Sequence, residues 1–105
     1  MKLQEKLETL QALSILNEFR VLDHIHFANF KFSMSVQASV YHYCRPKKTG
    51  PLGIYTHFEV MLNVPFKDIP RSWQDHTNDG DIYTYVPREK VEELMIYLDE
   101  KYIMV

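Results

Sequence analysis

A two-layer α+β domain is the fold this sequence predicts: one antiparallel sheet of three to four strands, with an N-terminal and a C-terminal helix on one face, in the order α-β-β-β-α. Three observations carry that expectation. Apolar residues recur in steps of three and four near both ends of the chain, the middle alternates apolar with polar, and stretches rich in Pro and Gly separate the alternating runs.

The first helix rests on Leu3, Leu7, Leu10, Leu13 and Leu16, one stripe with polar residues between. No Gly or Pro interrupts it, so the spacing predicts a helix reaching Phe19 or Arg20. Residues 21–29, VLDHIHFAN, fit neither period and read as a connector or a short first strand. From Phe30 the alternation is strict. Phe30, Phe32, Met34, Val36, Ala38 and Val40 interleave with Lys31, Ser33, Ser35, Gln37 and Ser39, which predicts a half-buried strand. Carried on to Cys44, that strand would be about 50 Å long at roughly 3.3 Å per residue, so it is expected to bend, bulge or protrude. RPKKTGPLG at 45–53 then breaks the pattern, and alternation resumes with Ile54, Phe58, Val60 and Leu62 on one face. The two runs are expected to pair as an antiparallel hairpin.

Residues 64–80, VPFKDIPRSWQDHTNDG, show no sustained period. Asp68 is placed to cap one or two helical turns, with Pro70 in the first turn and Trp73 pinning the segment to the core. Asn78-Asp79-Gly80 signals a turn into a third strand, DIYTYV at 81–86. Pro87 opens the last helix, whose stripe is Val91, Leu94, Met95, Leu98 and Tyr102. The apolar Ile103, Met104 and Val105 beyond it are expected to dock inside the domain or on a neighbour. Nothing resembles a repeat or linker, so 1–105 reads as a single domain.

Composition narrows the function classes. Of 105 residues, 46% are hydrophobic and 25% charged, within the globular range. A net charge of -2 provides no long-range field for phosphate backbones or anionic lipids, so such a partner would need a local patch. The single cysteine, Cys44, rules out an intrachain disulfide and points to a reducing compartment. The cytoplasm is the expected location; neither a signal peptide nor a membrane span is expected.

If the aliphatic residues of the hairpin face the core, then Ser33, Ser35, Gln37, Ser39, Tyr41, Tyr43, Tyr55, His57, Glu59 and Met61 face out. Tyr41, Tyr43, Tyr55 and His57 would then cluster near the hairpin loop beside Arg45, Lys47 and Lys48, a composition typical of protein contacts. Exposed tyrosines also stabilise strands by cross-strand pairing, so the same residues have a purely structural use. The leading expectation is a non-catalytic module that binds another protein, with self-association through the hairpin or a sheet edge as a second use. Small regulators, inhibitors and mobile-element accessory proteins have this profile.

Nucleic acid is the second expectation, through Arg45, Lys47, Lys48, Arg88 and Lys90. The element order is similar to that of double-stranded-RNA-binding domains, which touch RNA through the loop between their first strands and the start of their last helix. That helix opens here as PREKVEEL, however, with Glu89, Glu92 and Glu93 offsetting its cations.

A small enzyme using His42, Cys44, His57 or His76 is the third expectation. His24-Ile25-His26 places two imidazoles on one face of a strand, yet no third ligand is brought near by sequence, so neither metal nor cofactor is expected. Asp75 to Asp81 is similar to the opening of a calcium loop, but Val86 stands where the bidentate Glu belongs, and an acidic turn is the simpler reading. Cys44 falls on the inward side of the alternation, where a lone cysteine is core.

Overall fold

The computed structural model describes residues 2–10, 12–16, 18–79 and 81–102, with the backbone alone at 13–16, 78 and 79. In chain order the elements are α1 (Lys2–Thr9), β1 (Ala12–Leu16), β2 (Phe19–Leu22), β3 (Ile25–Phe27), β4 (Phe32–Gln37), β5 (His57–Asn63), β6 (Thr77–Asp79), β7 (Ile82–Pro87) and α2 (Arg88–Lys101). Short 3-10 turns occupy Leu52–Ile54, Phe66–Asp68 and Arg71–His76. The α+β class and both terminal helices stand as expected. Around the three expected strands the structure adds short ones, giving a five-stranded antiparallel sheet in the order β3-β4-β5-β7-β6 and a separate β1-β2 ribbon.

Alternation in β4 and β5 sets the register, with Met34 opposite Leu62 and Val36 opposite Val60. Period two then puts Met34, Val36, Phe58 and Val60 on one buried face. Both helices cover that face: Leu3 and Leu7 of α1, and Val91, Leu94 and Leu98 of α2, belong to one core cluster with the sheet. An isolated helix of eight residues is marginal in water, so α1 depends on that packing and on α2. Glu92 accepts the free N–H of Leu3 at 2.9 Å, and Arg88 donates to Gln4 at 3.0 Å. Trp73 is buried in the same core, as expected, its ring edge-on to Tyr83.

The N-terminal helix is much shorter than the leucine spacing suggests. It ends at Thr9, whose hydroxyl donates back to the Lys6 carbonyl, and Ala12–Leu16 and Phe19–Leu22 form the β1-β2 ribbon instead. Leu16 pairs with Phe19 across a tight reversal in which Glu18 adopts φ 68°. The other face of the sheet, which helical spacing could not reveal, takes this segment as its cover.

That ribbon also corrects the expected sidedness. Ser33, Ser35, Gln37 and Ser39 do lie opposite the core face, but they are buried because β2 packs over β4. Gln37 makes the join: its side-chain amide donates to the Leu22 carbonyl and accepts from the Leu22 N–H, both at 2.8 Å. One side chain thus completes a backbone ladder.

Three local details differ from the sequence pattern. Phe30 precedes the strand rather than starting it, in a turn where Ala28, Asn29 and Phe30 all have positive φ; the ring is 72% exposed. The long alternating run bends after Gln37, so β4 is half the length of the expected strand. The 3-10 turn at Leu52–Ile54 shifts the phase ahead of β5, which turns Ile54 outward and Tyr55 inward.

Asp68 caps no helix. Buried, it accepts hydrogen bonds from Tyr97, Lys101 and Tyr102, tying its 3-10 turn to the end of α2. Burial would raise this carboxyl, but the bonds from Lys101, Tyr102 and Tyr97 outweigh it and hold the group below the usual carboxylate range. The expectation for Ile103, Met104 and Val105 lies outside the described residues.

Two outcomes follow for stability. Gln37→Ala removes both bonds to Leu22, so it is expected to cost about 1–3 kcal/mol in urea unfolding and to raise hydrogen exchange at the Leu22 amide. Because the Asp68 carboxyl is depressed in the folded state, its stabilisation is complete above the ordinary carboxylate value and disappears as pH falls through the lower folded one. Asp68→Asn should therefore be less stable than wild type by about 2 kcal/mol at neutral pH, with the gap closing in urea titrations as pH falls through and below the ordinary carboxylate range.

Candidate functional site: an aromatic and cationic surface at the hairpin end

Between β4 and β5 the chain crosses residues 38–56 with no strand of its own, so its backbone groups need other partners. Three long side chains supply several of them. Arg20, reaching from β2, donates to the carbonyls of Ala38 and Gly50 at 2.6 and 2.7 Å. Arg88, at the start of α2, donates to the carbonyls of Tyr55 and Leu52 at 2.8 and 2.7 Å. The Tyr55 hydroxyl donates to the Lys48 carbonyl and accepts from the Gly50 N–H, with the Arg20 guanidinium 3.3 Å away.

Tyr55 is therefore a correction to the expected contact surface. It is 1% exposed, and its phenol organises the loop from within rather than facing a partner. Arg88 leaves the expected nucleic-acid patch for a similar reason: its three guanidinium nitrogens all donate to protein acceptors, and its Cζ lies 5.0 Å from the Phe58 ring centroid. Lys90 is beside His76, at 3.1 Å from Nε2.

Tyr41 and Tyr43 do face out, at 60% and 43% exposed. Each has an aromatic neighbour that the sequence reading did not include. Phe19, from the ribbon, meets Tyr41 edge-on at 5.6 Å and stacks on His42 at 5.4 Å. Tyr85 meets Tyr43 at 5.9 Å. Phe19 was hidden by its assignment to the helix.

Tyr85 arrives through a β-bulge. Tyr83 pairs with Val60 and Val86 with Phe58, so two residues of β7 oppose one of β5, and Tyr85 takes φ 51°. The bulge keeps Tyr83 and Val86 in the core while turning Tyr85 to Tyr43, where its N–H donates to the Tyr43 carbonyl at 3.1 Å. Spacing of three between the two inward residues was the available signal.

Cations complete the surface. The Arg45 guanidinium lies 4.8 Å from the Tyr85 centroid, and the Lys47 ammonium 5.1 Å from that of Tyr43. The Arg45 backbone is fixed by a bridge to His57 and a hydrogen bond from Thr56. His57 is half-buried next to it, its ring bonded to the Thr56 hydroxyl. Lys48 is exposed. Glu59 supplies the local carboxylate, accepting the Tyr43 N–H at 3.0 Å.

Of the enzymatic expectation, His42 and Cys44 are buried beneath this surface, whereas His57 is half-buried within it and His76 lies beside Lys90. His42 Nδ1 is 2.6 Å from the Ser39 hydroxyl, yet Ser39 is fully buried and also accepts the Tyr41 N–H, the pattern of a reinforced turn. Burial pulls the His42 imidazole down from its ordinary value, Glu59 partly opposing. The Cys44 thiol faces the carbonyls of Ser39 and Pro46, and burial pushes its pKa up, which disfavours the thiolate a nucleophile requires. His24 and His26 stack at 6.3 Å far along the chain from His42, and no group of three metal-ligating side chains occurs among the described residues.

No protein-family model, curated protein or solved structure matches this chain. Among the described residues, no helix is long and apolar enough to cross a membrane.

Tyr55→Phe tests the support of the loop. Loss of the hydroxyl leaves the Lys48 carbonyl and Gly50 N–H without their partner, so a drop of about 1–3 kcal/mol in unfolding free energy is expected. Faster exchange of the Gly50 amide, with Tyr41 and Tyr43 unaltered in sequence, would identify the lost bond as its cause.

Proposed function

We propose that the chain is a small non-catalytic binding module whose partner is another protein, engaged through Tyr41, Tyr43 and their neighbours at the hairpin end. One observation carries this reading: two solvent-facing tyrosines, each with a second aromatic packed against it, stand on a loop held by internal hydrogen bonds. Rigid aromatic side chains offer large contact area with little rotamer freedom to lose, which is why they concentrate at the centres of interfaces. The buried, raised thiol of Cys44 and the turn-bound His42 favour binding over covalent chemistry at the same place. A regulator, inhibitor or accessory protein acting in the cytoplasm, where a free thiol stays reduced, fits these features.

The test is capture. Immobilised wild-type chain, incubated with native lysate, is expected to retain a partner that Tyr41→Ala combined with Tyr43→Ala loses at least tenfold, while the melting temperature changes by no more than about 2 °C. Retention of the same partner by the double variant would end the proposal. Measuring the mass of the isolated chain in solution, before and after the substitutions, separates self-association from a heterologous partner.

A further inference from the structure

We infer that the Arg45 and Lys47 side of this surface accepts carboxylates, so that the partner presents an acidic segment carrying at least one apolar residue; the inference rests on the protein-binding reading above. The argument is one of charge and unused donors. Among the described residues neither cation has a side-chain hydrogen bond or a carboxylate within ion-pair distance, and each lies instead over a tyrosine face. Arg20 and Arg88 supply the contrast, since their terminal nitrogens are committed to carbonyls, a phenol and an amide inside the domain.

Contact with the ring leaves the guanidinium donors unclaimed. Among the described residues no protein acceptor takes the Arg45 side-chain N–H groups, and a guanidinium fork can give two of them together to one carboxylate. The Arg45 backbone is held by the His57 bridge, which fixes where the fork starts. Lys47 adds a second charge beside it and Lys48 a third, so this corner of a chain with net charge -2 is locally positive. Tyr41 and Phe19, on the neighbouring part of the surface, give an apolar side chain of the same segment a place to pack.

A phosphate backbone fits this corner less well than a short acidic motif. Nucleic-acid binding draws on many cations tracking successive phosphates, whereas here Glu59 adjoins the cluster and the next candidates, Arg88 and Lys90, are bonded within the domain. Two or three cations beside aromatics match a few carboxylates around one apolar residue.

The experiment uses the full chain and two matched libraries of fluorescent dodecapeptides. One carries four Asp or Glu around a single Leu or Phe; the other replaces every acid by Asn or Gln. Wild type is expected to bind the acidic library at least tenfold more tightly. Arg45→Gln combined with Lys47→Gln should erase that preference with the circular dichroism unchanged, and Tyr41→Ala should weaken binding to both libraries. Equal binding of the two libraries by wild type overturns carboxylate recognition while leaving the aromatic contact intact. So does binding of neither, the capture experiment above then standing as the separate measure of the protein-binding reading. Tighter binding of an oligo-dT strand than of any acidic peptide, falling steeply between 50 and 200 mM salt, overturns both in favour of nucleic acid.

Discussion

Two guanidinium groups and one phenol organise a connection that would otherwise have no reason to hold a shape. Residues 38–56 are longer than most structureless connections in compact domains, and every backbone group they carry needs a partner or water. Arg20 enters from the ribbon, Arg88 from the last helix, and Tyr55 from the loop itself, so that one network joins three parts of the chain. Bonds from charged donors are the stronger class, and removing one end leaves a buried carbonyl unsatisfied. Thr49 adds a further tie, accepting the Val40 N–H and donating to the Glu18 carbonyl in the ribbon turn. Loop, ribbon and helix are consequently positioned by the same few atoms.

The sheet that supports this network is covered differently on its two sides. Helices bury the aliphatic face through dispersion and the hydrophobic effect, roughly 1.5–3 kcal/mol for each fully buried large side chain. On the other side the ribbon lies over serines and Gln37, where hydrogen bonds rather than apolar area make the contact. Such a join is directional: Gln37 fits Leu22 in one register only. Local backbone strain accompanies the geometry, at Tyr85 in the bulge and at Ala28 to Phe30 in the β3-β4 turn. Only the bulge brings its residue to the aromatic surface.

Chemistry and position together set what that surface presents. Groups capable of catalysis are near it, but they are turned inward and engaged, His42 with Ser39 and Cys44 with backbone carbonyls. What faces solvent is the apolar body of two tyrosines with cations resting on aromatic rings. Aromatic area and unused donors are the features on which the proposed protein-binding role draws.

By itself the sequence determined the elements whose pattern is strong and self-consistent. Alternation in the runs that begin at Phe30 and at Ile54 located the paired central strands, though not their ends, the stripe of Val91, Leu94, Met95 and Leu98 defined the last helix, and Trp73 was identified as an anchor. Tyr41, Tyr43, Arg45 and Lys47 were expected at the surface by extending the alternation, and they lie there although residues 38–56 form no strand. Tertiary structure alone decided the rest. Leucines at 10, 13 and 16 satisfy helical spacing, but a segment's period says nothing about the second face of a sheet that a ribbon can cover. Tyr55 reads as outward only until a 3-10 turn shifts the phase by one residue, and Arg88 reads as a phosphate ligand only until distant carbonyls claim its donors. Phe19 and Tyr85 joined the site through a hairpin reversal and a bulge, both set by what each backbone packs against rather than by its own residues.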